Sequence, residues 1–129
     1  MIFLDASFLI AFFLRENDYL DSIDEIEDII KYEKYVINNT VITEVLNTFK
    51  IPNDNFNPKN ILEAMLKLHI VDYLSPKDYS FKRIFSNYYG QAINFSDCTI
   101  LRTMEKYDID TIVSFDDDFD KINGIKRIF

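Results

Sequence analysis

"TIVSFDDDFD", residues 111–120, runs from β-branched residues straight into acid, with four carboxylates among positions 116–120. Residues 111–115 suit a short buried strand, and residues 116–120 make a strongly acidic turn after it. Crowding like charge at the end of a buried strand costs folding energy. A solvated turn, a calcium loop and a divalent-metal site would each account for it differently, and the rest of the chain has to choose among them.

Working outward, the same alternation of short β-rich runs and helical patterns recurs along the chain. Residues 2–4 ("IFL") form an apolar run that fits a buried parallel strand, and 35–37 ("YVI"), 70–73 and 125–129 give further strands. Between them lie helical patterns. Ala6 to Leu14 is apolar nearly all round, and residues 18–33 carry Leu20, Ile23, Ile26, Ile29 and Ile30 at helical spacing. Asn39 or Thr40 offers an N-cap for a helix with Val41, Ile42, Val45, Leu46 and Phe49 inward. After the loop at 51–58, a helix passes through Ile61, Leu62, Met65 and Leu66. Pro76 opens the next helix, with Phe81, Ile84, Phe85 and Tyr88 inward and Gly90 ending it, and Ser96 to Lys106 forms the last. Strands alternating with helices imply an α/β fold: three layers, α/β/α, around a central parallel sheet of four to five strands.

Composition narrows the class. The 129 residues are 48% apolar and 16% aromatic with two glycines and three prolines, so residues 1–129 are expected to form a single domain with a real core. A lone cysteine, Cys98, excludes an internal disulfide and fits a reducing cytoplasm. The apolar start has no basic region before it and is interrupted by Asp5, unlike a signal peptide. No stretch reaches the ~18–20 apolar residues that span a membrane. The net charge of −8 argues against binding nucleic acid by charge alone. Eight acids and one lysine fall between Glu16 and Glu33, so the remainder is nearly balanced.

In a parallel sheet, functional groups collect where strands end and helices begin. Asp5 follows the first strand, and Asp116 to Asp118 follow the fourth. Glu44 lies in the first turns of the helix after the second strand, and Asp97 in the first turn of the helix near Ser96. Four distant segments thus bring acid to one edge. Two unit charges about 4 Å apart repel by roughly 4 kcal/mol at an effective dielectric near 20, so the set calls for a cation. Hard oxygen ligands suit Mg²⁺ or Mn²⁺. With one histidine, His69, and one cysteine, a zinc site of several N/S ligands is disfavoured. The chemistry that fits is phosphodiester hydrolysis by a metal-activated water.

These segments, in this order, resemble the PIN-domain ribonucleases, and among them the VapC-like toxins. "FLDASFLIAFF" carries Asp5 and Ser7, "TVITEVLN" Glu44, "GQAINFSDCTIL" Asp97, and "TIVSFDDDF" Asp116. Each motif is common alone; four in order over nearly the whole chain are fairly specific. The resemblance implies that Asp5, Asp97 and Asp116 contact the metal and that Glu44 binds through water or positions the nucleophile. It implies that Asp118 is a supporting or alternate ligand, and that Ser7 and Ser114 hold the carboxylates by hydrogen bonds. It further implies an RNA substrate, a homodimer and a protein antitoxin covering the groove. The charge of −8 departs from the basic surface an RNA-cleaving domain normally offers. Arg15, Lys50, Arg102 and Lys121 are unranked candidates for phosphate contact.

Each of these residues also has a plainer alternative. Taken singly, Asp97 and Glu44 read as first-turn acids complementing a helix dipole, and Asp5 as an N-cap. Asp117 and Asp120 read as solvated turn residues. An EF-hand starting at Asp116 fails, because Lys121 stands where glycine belongs and Arg127 where glutamate belongs. An aspartyl-phosphate phosphatase would need an acid where Ser7 stands. Phe12, Phe13 and Phe49 suit either the core or a partner groove, while His69 and Cys98 read as structural. The expectation is therefore a Mg²⁺- or Mn²⁺-dependent endoribonuclease, the toxin of a toxin–antitoxin pair. The alternatives are a non-cleaving PIN-like binding or scaffold module and an RNA-processing nuclease outside such pairs.

Overall fold

The computed structural model describes residues 1–15, 20–53, 56–75 and 77–129. Five short parallel strands make one sheet: β1 (Ile2–Leu4), β2 (Tyr35–Asn38), β3 (Ile70–Asp72), β4 (Thr111–Val113) and β5 (Lys126–Ile128). Their order is β3-β2-β1-β4-β5, with Phe3 of β1 paired to Val36 on one side and Ile112 on the other. The helices are α1 (Ala6–Leu14), α2 (Leu20–Ile30), α3 (Asn39–Thr48), α4 (Pro58–Leu66), α5 (Tyr79–Tyr88) and α6 (Phe95–Lys106). A short 3₁₀ turn, Asp117–Lys121, follows β4. This is the expected three-layer α/β/α arrangement. No helix among the described residues is long and apolar enough to cross a membrane.

Strand order determines where a site can form. The chain steps outward from β1 to β2 to β3, then returns to lay β4 on the free flank of β1. For right-handed crossovers, the rule in parallel sheets, this order puts α1 to α4 over one face and α5 with α6 over the other. The packing agrees: α1 lies against α2 and α3, α3 against α4, and α5 against α6, while α3 also touches α6. The direction of winding reverses between β1 and β4, so the chain leaving them turns to opposite faces and opens a crevice at their carboxyl ends. Below it the sheet is dry, with Phe3, Val36, Ile37, Ile112 and Val113 all fully buried.

Element ends depart from the sequence expectations for local reasons. Past β4 one more amide keeps the ladder, Ser114 N–H donating to Ile128 O (3.0 Å), and the following two leave it: Phe115 N–H donates to Ser7 Oγ (3.0 Å) and Asp116 N–H to Ser114 Oγ (3.0 Å). The α3 cap is Asn38, one residue before the expected pair. Its extended backbone (φ −130°) lets its side chain accept from Val41 N–H, while Asn39 accepts from Leu74 N–H instead. Likewise α6 is capped by Asn94 and starts at Phe95. Pro76 lies outside the described residues, and α5 begins at Tyr79 behind an Asp78 cap. Gly90, at φ +80°, follows the end of that helix in the left-handed conformation glycine tolerates. Ile29 and Leu66, expected inward, are exposed. Each sits about 100° round its helix from a buried neighbour, Ile30 and Met65 respectively, just past the apolar stripe.

Candidate metal centre at the crevice

Asp5 leaves β1 directly into the crevice, and its amide donates to Val113 O (3.0 Å), locking the two strand ends together. Two hydroxyls converge on its Oδ2, Ser114 Oγ at 2.6 Å and Ser7 Oγ at 3.0 Å, and the two lie 3.2 Å from each other. Ser7 comes from the first turn of α1 and Ser114 from the residue after β4. One carboxylate is therefore held from both sides of the switch point. Burial raises the Asp5 pKa, the two serines oppose that shift, and the nearby Asp116 charge adds to it.

Asp116 caps the 3₁₀ turn, its Oδ1 accepting from Asp118 N–H at 3.0 Å. Asp97 is the third residue of α6 and forms a capping box with Asn94. Asn94 Oδ1 accepts from Asp97 N–H at 2.7 Å, and Asp97 Oδ2 accepts from Asn94 N–H at 3.3 Å. Among the described residues, one oxygen each from Asp97, Asp116 and Asp118 lie within 4.8 Å of one another. Burial, with the charges of Asp118, Asp116 and Asp5, pushes the Asp97 pKa up to about 6 although the Asn94 amide stabilises its ionised form. Glu44, on α3, is also raised, first by burial and then by the charges of Asp5 and Asp116, against a hydrogen bond from Ser96.

The four acids that the sequence points to, Asp5, Glu44, Asp97 and Asp116, thus occupy one electrostatic neighbourhood. Asp118, expected in a supporting place, stands in the tight trio with Asp97 and Asp116, while Asp5 is the carboxylate wrapped by hydroxyls. Asp120 is exposed and tied to Arg127 by two bonds of 2.9 and 2.8 Å. The donor set is all carboxylate oxygen, partly buried and only lightly neutralised: Lys121 Nζ reaches Asp118 Oδ1 at 3.0 Å. Such a set fits a hard divalent cation such as Mg²⁺ or Mn²⁺.

Ser96 and Asn94 join the site without a place in the sequence expectation, although Asn-x-x-Asp ahead of a helical pattern spells a capping box. Beneath the crevice, Asn38 Nδ2 donates to Thr103 Oγ1 (3.2 Å) and lies 3.4 Å from Thr99 Oγ1, and Thr103 Oγ1 donates to Asp72 Oδ2 (2.9 Å). Lys106 Nζ closes the network on Asp72 at 2.8 Å. This buried polar set ties β2 and β3 to α6, the helix that presents Asp97, and no pattern in the sequence pairs positions so far apart.

The remaining candidates separate cleanly. Phe12 and Phe13 line an apolar groove of about 190 Å³ with Leu4, Phe8, Met65 and Leu68. Phe49 is instead buried, its ring 4.7 Å from that of Phe56. His69 Nδ1 accepts from Tyr35 N–H at 3.0 Å, and Cys98 is buried and free.

An acidic cluster at the switch point of a five-stranded parallel sheet defines the class: an α/β domain whose candidate centre is built entirely from carboxylates. The chain belongs to the PIN domain family, whose model matches residues 2–125. Among solved structures it is similar to the Mycobacterium tuberculosis toxin VapC20, described as cleaving the sarcin–ricin loop. The TM-score is 0.76 at 16% identity over 95% of each chain, a likeness of fold. No curated protein sequence matches it.

Proposed function

We propose that residues 1–129 form a single PIN-like nuclease domain that cleaves RNA phosphodiesters as a metal-dependent endoribonuclease. The observation that carries this reading is the convergence of Asp97, Asp116 and Asp118 oxygens within 4.8 Å beside the anchored Asp5. In this reading Asp5, Asp97 and Asp116 hold Mg²⁺ or Mn²⁺, and Asp118 joins them. The bound cation would supply a water of lowered pKa and positive charge against the phosphate oxygens. Ser7 and Ser114 fix the Asp5 carboxylate so that it need not reorganise. Glu44, its proton affinity raised by burial and neighbouring acid, orients the attacking water and takes its proton. No side chain becomes covalently attached.

The likeness to a VapC toxin supports a biological setting as well. The chain is read as the toxin of a toxin–antitoxin pair, a cytoplasmic homodimer held inactive by a protein antitoxin. The groove at Phe12 and Phe13 would suit an apolar helix face of that partner. The test is cleavage of RNA by purified protein with Mn²⁺, with chelator, and with Asp5→Asn. Cleavage confined to the Mn²⁺ sample of the unaltered protein is expected. Cleavage that survives both chelator and the substitution would refute the reading.

A further inference from the structure

The four basic residues left unranked by sequence differ in their surroundings. Arg102 is engaged by Asp78, with Nε 2.8 Å from Oδ1, and Arg15 stacks over the Phe12 ring at 4.6 Å. Lys50 is exposed just past the end of α3. A fifth cation, Arg127, is fixed by two bonds to Asp120 and a third, of 3.3 Å, to Ser114 O. Lys121 stands apart. Among the described residues it is the one basic side chain in ion-pair contact with the Asp97–Asp116–Asp118 trio, through Asp118 at 3.0 Å. It is also half-exposed, and Asp118 is partly open to solvent, so the pair is weak and readily exchanged.

We propose that Lys121 is a movable counter-ion of the acidic centre. It neutralises Asp118 until a divalent cation takes that carboxylate, and is then released to contact a phosphate of the RNA beside the site. Two features support this. An ammonium on a flexible stem suits exchange between a carboxylate and a phosphate better than the pinned Arg127 guanidinium does. A chain with 14 basic against 22 acidic residues also has no surplus of positive charge to offer RNA, so a cation beside the centre counts for more. The inference rests on the proposed function, its cation half on the metal centre and its RNA half on the nuclease activity.

The experiment compares unaltered protein with Lys121→Gln, Lys121→Arg and Lys31→Gln, the last matching the charge change at a lysine paired to Asp28 on α2. By calorimetry, Lys121→Gln should bind Mn²⁺ up to about fivefold more tightly, the scale set by an exposed ion pair. At saturating Mn²⁺ the same variant should show a raised KM for single-stranded RNA and a smaller change in kcat. Its slope of log KM against log salt should be shallower by roughly 0.7. Lys121→Arg should restore KM, and Lys31→Gln should move neither quantity. Unchanged Mn²⁺ affinity, or a change equalled by Lys31→Gln, overturns the counter-ion role. Tighter Mn²⁺ binding with unchanged KM and salt slope overturns the phosphate contact. If the unaltered protein binds Mn²⁺ but cuts no RNA, the nuclease reading and the RNA half fail together, while the Mn²⁺ arm still decides the counter-ion role.

Discussion

Ser114 Oγ donates a 2.6 Å hydrogen bond to Asp5 Oδ2 across 109 residues of sequence, joining the ends of β1 and β4, the two parallel strands between which the winding order reverses. The same oxygen accepts from Asp116 N–H at 3.0 Å, so one buried hydroxyl orients an acid on each side of the crevice. Ser114→Ala leaves a buried carboxylate oxygen and a backbone N–H each short of a partner. The expected loss is about 1–3 kcal/mol of unfolding free energy, with weakened Mn²⁺ binding. Urea denaturation and a metal titration check both. Unchanged stability would show that Ser114 is dispensable.

Repulsion among the carboxylates predicts an unusual response at Asp97. Asp97→Asn removes one charge from the cluster and keeps a side-chain oxygen for the Asn94 amide. In chelator the variant should be as stable as the parent, or more so, at pH 7, while losing Mn²⁺ binding. Clear destabilisation in chelator would mean that Asp97 serves mainly to cap α6.

Because the Asp97 pKa is raised to about 6, well above its ordinary value near 3.8, the folded state holds a proton that the unfolded state has lost between those two values. Stability in chelator should therefore fall as pH rises through that window, by on the order of 1 kcal/mol after solvent screening. Asp5 and Glu44, also raised, act in the same direction. Asp78 and Asp120, lowered by hydrogen bonds from Arg102 and Arg127, act oppositely at more acidic pH. Saturating Mn²⁺ should flatten or reverse the loss. Melting curves at several pH values, with and without chelator, read it directly.

Asn38 caps α3 and donates into the Thr99–Thr103 pair beneath the crevice while fully buried. Asn38→Ala should cost about 2–4 kcal/mol, combining a lost cap with unpaired buried hydroxyls. A loss below about 0.5 kcal/mol, the scale of neutral surface changes, would contradict this account of the network.

The parallel sheet is legible in the sequence because each strand is a short apolar run flanked by helical patterns. The site is legible because its acids sit directly at those junctions. Asp5 and Asp116 need only the end of a strand to be located. Asp118 is harder to place. Only the 3₁₀ turn capped by Asp116 brings its carboxylate beside Asp97, and i, i+2 spacing in a charged loop does not encode that geometry. The α3 cap is ambiguous in sequence because Asn38, Asn39 and Thr40 are all good capping types. Tertiary contact makes the choice, Asn39 being taken up by Leu74 N–H just past the end of β3. The Ser7–Asp5–Ser114 triangle is expected from family likeness alone. Its distances depend on β1 and β4 being neighbours, which no local pattern states.

The most direct measurement is a Mn²⁺ binding titration at neutral pH on the unaltered protein and on Asp97→Asn and Asp116→Asn, each first stripped with chelator. Saturable binding that raises the melting temperature of the unaltered chain by mass action, about 2.7 kcal/mol of stabilisation at a hundred times Kd, and that disappears in both variants is the predicted result. Equal binding by all three proteins, or none by any, would contradict the claim that these carboxylates form a metal centre.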